Sequence, residues 1–152
     1  MTSRAAVDHI LSQKHLGLVG VSRSGKKFGN AILKELGRKG YSFSLVHPEA
    51  DEIAGQPCYP SISDLPDDID SLVLVVPPEQ TDKLVREVVN TSIRNIWMQQ
   101  GSESAEAIKF CTENGITVVY KECVLMFADP GGLHKFHHWL WGLLGKLPKE
   151  GS

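Results

Sequence analysis

The sequence predicts a doubly wound α/β fold, a five-stranded parallel sheet covered by helices on both faces. Three observations predict it. Apolar, β-branched runs alternate with amphipathic helical patterns along most of the 152 residues. Runs such as Leu72-Val73-Leu74-Val75-Val76 are apolar at consecutive positions, as strands buried on both faces are. A glycine-rich segment joins the first such run to the first helical pattern, the arrangement that opens a strand–turn–helix unit.

The elements follow in order. Residues 1–14 are expected to form an N-terminal helix, and 15–21 the first strand. The next helix buries Ile32, Leu33 and Leu36 and stops near Gly37 and Gly40, since glycine commonly ends helices. The second strand, 42–47, is cut off by Pro48, and 53–60 reads as a loop before a short helix at 62–65. The third strand, 71–76, ends at Pro77-Pro78, and a helix at 79–90 buries Leu84, Val85, Val88 and Val89. A fourth strand at 95–98, a helix at 103–114 and a fifth strand at 116–120 complete the series. One domain over 15–124 is expected, with strand order 3-2-1-4-5 and any ligand at the carboxyl ends of the strands, where the winding reverses.

Composition narrows the function. The net charge is −2, so a general nucleic-acid surface is not expected, and any anion site must be local. No run is long enough to span a membrane, and the first ten residues lack the apolar core of a signal peptide. Three separated cysteines, Cys58, Cys111 and Cys123, suit a reducing cytoplasm better than a disulfide framework.

The segment Gly20-Val21-Ser22-Arg23-Ser24-Gly25-Lys26-Lys27-Phe28-Gly29 carries the strongest functional signal. Glycines let a phosphate approach the backbone, and the first N–H groups of a helix point at it. Two familiar motifs nearly fit. The dinucleotide fingerprint G-x-G-x-x-G fails because Ser22 replaces the second glycine. The pattern G-x-x-x-x-G-K-[ST] matches at Gly20, Gly25 and Lys26, but Lys27 replaces the hydroxyl that would hold Mg²⁺. A purely structural reading also stands, in which the glycines only let strand and helix pack closely.

The strand ends form an ordered series. It runs Gly20-Val21-Ser22 with Lys27-Phe28-Gly29, Gly40-Tyr41, Val46-His47-Pro48, Ile53-Ala54-Gly55, Tyr59-Pro60-Ser61, Leu65-Pro66 and Trp97-Met98-Gln99-Gln100-Gly101, then Gly115 and Glu122-Cys123. Read together, these pieces resemble the coenzyme A-binding domain family, whose Rossmann-like fold is also the N-terminal domain of the succinyl-CoA synthetase α-subunit. His47 departs from the asparagine usual before that proline. The resemblance implies coenzyme A or an acyl-CoA as ligand. Gly20, Ser22, Lys27 and Gly29 would hold its phosphates, with Val21 part of the same binding loop. His47 and Pro48 would form the next corner. Ile53, Val76 and Pro77 would face the adenine. Gln99 and Gly101 would line the path of the pantetheine arm, and Cys123 would lie at the mouth of the crevice.

A non-catalytic binding or regulatory protein is the function expected. Alternatives are a CoA-dependent ligase or transferase component working with a partner subunit, and an NAD(P)- or nucleotide-sensing domain. His134, His137 and His138 lack the paired ligands a zinc site usually has, and no metal is expected. Cys123 could react with a thiol or simply pack. In the tail, 133–147, Leu133, Phe136, Leu140, Leu143, Leu144 and Leu147 make an apolar helical stripe flanked by Trp139 and Trp141. That helix is expected to pack on the domain, to form a homodimer contact or another partner's surface, or to lie on a membrane surface.

Overall fold

A computed structural model describes residues 4–125. Helix α1 (Arg4–Ser12) leads into strand β1 (His15–Val19), helix α2 (Phe28–Arg38) and strand β2 (Ser42–Val46). Strands β3 (Glu52–Ile53) and β4 (Gln56–Tyr59) form a hairpin, and a single 3₁₀ turn follows at Ile62–Asp64. Strand β5 (Ser71–Leu74), helix α3 (Pro78–Val88), strand β6 (Asn95–Gln99), helix α4 (Ala105–Glu113) and strand β7 (Thr117–Glu122) finish the series. The sheet runs β3-β4-β2-β1-β5-β6-β7, parallel throughout except for the β3–β4 pair.

The continuous apolar runs have a direct cause. Successive strand side chains point to opposite faces, and both faces are covered. Leu16, Leu18, Val73, Trp97 and Val119 join one core with Val7 and Ile10 of α1 and Ile32 and Leu36 of α2. Val19, Leu72, Leu74, Ile96 and Met98 join the other with Val85 and Val88 of α3 and Cys111 of α4. Each strand therefore needs apolar residues at odd and even positions alike.

The α/β class holds, but the sheet has seven strands rather than five, and the expected order 3-2-1-4-5 needs correction. The strand expected third (β5) lies beside β1 on the side away from β2. The place outside β2 belongs to β4, from the segment read as a loop, with Leu45 opposite Cys58 and Val46 opposite Tyr59. Counting β4, the six parallel strands lie 3-2-1-4-5-6 in chain order. Pro57 hid this strand from sequence reading, because a proline cannot donate to a ladder and normally argues against a strand. It is tolerated near the sheet edge, where only two-residue β3 lies beyond β4. The Ile53–Gln56 turn has positive φ at both Ala54 (53°) and Gly55 (79°), the signature of a two-residue type I′ hairpin. The expected tail helix at 133–147 lies outside the described residues.

Candidate functional site

The winding reverses between β1 and β5, so the crevice above their carboxyl ends is the natural ligand position. Chain approach there is very close. Val75 N donates to Val19 O at 2.9 Å, and Gly20 adopts φ 120°. A Cβ on Gly20 would lie 2.1 Å from Val75 O, and one on Gly29 would lie 2.3 Å from Gly20 O. Both glycines therefore serve close backbone packing, as the structural reading of the loop expects. Gly25 differs: at φ 77° it has nothing within 4 Å of where a Cβ would stand.

Asn30, in the first turn of α2, braces the loop. Its Oδ1 accepts from Ser22 N and its Nδ2 donates to Ser22 O, both at 2.9 Å. Ser22 Oγ lies 2.9 Å from Ser24 Oγ, and Gly25 N donates to Ser22 O at 3.2 Å. Lys27, the N-cap of α2, supplies no side-chain cap, and neither does Pro77 at the start of α3. Ser104 does cap α4, accepting from Ala107 N. The two helices that flank the switch point thus begin without a side-chain acceptor, and the more distant one has its own. Around the start of α2 lies a cleft of about 230 Å³, lined by Gly25, Lys26, Lys27, Phe28, Asn30, Ala31 and Lys34. Three ammonium groups border it beside the positive end of a helix dipole.

At the end of β2, His47 N donates to Tyr59 O, while His47 Nδ1 accepts from Glu49 N at 3.1 Å and Ala50 N at 3.0 Å. An asparagine oxygen makes the same kind of turn, so the departure at His47 keeps the corner's geometry. Glu49 Oε1 meets Arg23 Nη2 at 3.2 Å, joining this corner to the β1–α2 loop.

At the end of β5, Val76 is half-buried and Pro77 exposed. Val76 N donates to Ser102 Oγ at 3.0 Å, Thr81 Oγ1 donates to Ser102 O at 2.7 Å, and Ser102 N donates to Gln99 O at 2.7 Å. Ser102 and Thr81 are buried, so this network ties the ends of β5 and β6 together. Gln99 is buried, and its Oε1 accepts from Val124 N at 3.0 Å. Gly101, at φ 95°, donates its N–H to Glu103 Oε1. Ile53 and Cys123 are both buried in the core that contains α1 and α2. Gly20, Val21, Ser22, Lys27 and Gly29 lie on the segment after β1, where sequence reading put them, whereas Val76 and Pro77 stand beside the switch point only because β5 lies next to β1, not outside β2 as the expected order had it. Sequence reading missed Asn30, Ser102 and Thr81, whose only signal is a polar side chain in or beside the first turn of a helix.

Burial pushes the Cys111 thiol up to about 12, and burial followed by the charges of Asp51 and Glu52 pushes Cys58 upward. Both thiols are protonated at neutral pH, so neither is an activated nucleophile. A larger cavity of about 370 Å³, lined by Ile108, Thr112, Ile116, Thr117, Val118 and Tyr120, lies toward the amino end of β7, away from the switch point. No helix among the described residues is long and apolar enough to cross a membrane.

A family model described as a CoA binding domain matches residues 14–129. An ADP-forming acetate–CoA ligase from Methanocaldococcus jannaschii is 37% identical over 125 residues, covering 82% of this chain and 18% of the ligase. The chain spans about a fifth of the length of such curated relatives. Among solved structures, a conserved hypothetical protein from Pyrococcus furiosus superposes with a TM-score of 0.71 at 37% identity, over 75% of this chain and 98% of that one. A hypothetical protein from Pyrococcus horikoshii gives 0.74 at 28% identity, over 91% and 93%.

Proposed function

Since the chain belongs to the CoA-binding domain family, we propose that it binds coenzyme A or an acyl-CoA across the carboxyl ends of β1, β2, β5 and β6, as a non-catalytic binding or regulatory module. The observation that carries this reading is the start of α2: no side-chain cap, a braced loop and three lysines at one cleft. These residues fit a polyphosphate ligand. The Ser22 hydroxyl and the amino end of α2 would meet the pyrophosphate, with Lys27 as counter-charge, while the Ser22 and Gly25 N–H groups hold the loop's own shape. Val76 and Pro77 would offer an apolar surface to the adenine, with Ile53 backing the wall from the core. Gln99 Oε1 and the Gly101 N–H already have partners, so these two shape the pantetheine path rather than bind it. Cys123 is likewise core to that wall.

An NAD(P) site fits less well. Ser22 stands where the fingerprint needs its second glycine. A cytoplasmic setting accords with three free thiols. The test is a thermal-shift titration with CoA, acetyl-CoA, NAD, NADP and ATP. CoA species should raise the midpoint most, because a ligand that binds only the folded state stabilises it by mass action. A larger shift with NAD or NADP refutes the reading. Lys27→Ala should keep the fold, since Lys27 is exposed, and weaken CoA binding.

A second reading has its own support. The curated relatives are ADP-forming acetate–CoA ligases several times longer than this chain. A domain of this size would supply the CoA site while a partner subunit supplied the chemistry. The apolar stripe at 133–147 is the proposed contact for such a partner or for a second copy of the chain. Sedimentation of the full chain and of one shortened before Leu133 tests it: an unchanged association state removes the tail from any interface.

A further inference from the structure

Arg23 and Glu49 lie 26 positions apart and meet across the mouth of the crevice. The backbone beneath each is fixed. Ser22, next to Arg23, is held through two hydrogen bonds by Asn30, and Glu49 N is held by His47 Nδ1. The side chains themselves reach into solvent, 62% and 70% exposed. An exposed ion pair is held weakly, and a guanidinium prefers the bidentate grip of a phosphate. Position gives the pair its meaning. In doubly wound sheets the adenosine ribose lies at the end of the second strand, where an acid accepts from a free hydroxyl and an arginine takes a ribose phosphate. Here one acid and one arginine occupy that place together. Lys26, Lys27 and Lys34 border a cleft on the α2 side that Arg23 does not line.

We propose that the Arg23–Glu49 pair reads the phosphorylation state of the ligand's ribose, so that the protein selects 3′-phosphorylated CoA over dephospho-CoA; this presupposes the CoA reading and deepens it. Without ligand, Glu49 keeps Arg23 at the mouth. The 3′-phosphate takes Arg23, and the released Glu49 carboxylate accepts from the neighbouring 2′-hydroxyl. No bond is made or broken covalently, and the exchange swaps one anionic partner of Arg23 for another.

Calorimetric titration of the full chain with CoA and with dephospho-CoA tests this in wild type, Arg23→Gln and Glu49→Gln. Both positions are exposed, so both variants should fold, which circular dichroism checks. Wild type should prefer CoA by about tenfold, the scale of one hydrogen bond to a charged group. Arg23→Gln should bring that ratio close to one. Glu49→Gln should keep the ratio at or above the wild-type value, because Arg23 then has no competing carboxylate. The wild-type preference should shrink with added salt. A wild-type ratio of one, or an Arg23→Gln ratio equal to wild type, overturns the assignment and leaves CoA binding standing. Failure of the wild type to bind either compound removes the CoA reading along with it.

Discussion

Gly29→Ala isolates the close approach that shapes the loop. Gly29 is the second residue of α2 and is buried, and its φ is not positive, so an alanine there meets no backbone strain. The obstacle is steric. The added Cβ would stand 2.3 Å from Gly20 O, 2.7 Å from Gly20 C and 3.3 Å from Val21 N. A carbon–oxygen contact settles at about 3.3 Å. The start of α2 would therefore have to retreat by roughly 1 Å, against backbone rather than a yielding side chain. Overpacking of this kind costs about 1–3 kcal/mol, occasionally more. Alanine's better helix propensity returns at most about 1 kcal/mol. The net expectation is a loss of about 2 kcal/mol, which for a chain of this size lowers the midpoint by roughly 4–8 °C. Two exposed glycines make the controls. Gly37 lies in the same helix with nothing within 4 Å of its would-be Cβ and no positive φ, so Gly37→Ala should stabilise by up to about 1 kcal/mol. Gly25 is equally open but sits at φ 77°, so Gly25→Ala should cost about 1 kcal/mol of strain alone. Urea unfolding of the three variants measures the series. If Gly29→Ala is as stable as Gly37→Ala, the close approach of α2 to the β1 end does not hold.

Three further outcomes are expected. Ala54→Asn should stabilise the β3–β4 hairpin by about 0.5–1 kcal/mol in urea unfolding, because Ala54 is exposed at φ 53° and asparagine tolerates that region better; a loss of stability would refute the turn assignment. His47→Asn should retain the turn that Nδ1 makes with Glu49 N and Ala50 N, whereas His47→Ala should lose about 1–2 kcal/mol; equal stabilities would show those bonds to be idle. The Cys111 thiol, pushed up to about 12 from 9.0, keeps its proton in the folded state while the unfolded chain loses it. Its contribution is therefore complete below pH 9 and is lost as pH climbs toward 12, so stability should fall over that window and fall less steeply in Cys111→Ala.

Much of the architecture is local and so was readable from the sequence. The apolar period of each strand, the amphipathic faces of α2 and α3, and the glycines that end or open helices are set by neighbours a few residues away. That is why the α/β class, the glycine loop at 20–29 and the corners at His47 and Val76 could be named in advance. Pairing is not local. Whether 56–59 forms a strand depends on β2 offering it an edge, and Pro57 masks the pattern until that edge exists. The side of β1 on which β5 lies depends likewise on β4 having taken the place outside β2. The site shows the same division. Composition placed cations near the loop, but only folding brings Arg23 to Glu49, Asn30 to Ser22, and Ser102 to Val76. It also revealed that Gly20 and Gly29 serve backbone packing, because a glycine's role depends on which atoms stand where its missing side chain would be. Side-chain periodicity is written along the chain, whereas each of these contacts joins segments whose meeting depends on the order in which the strands lie.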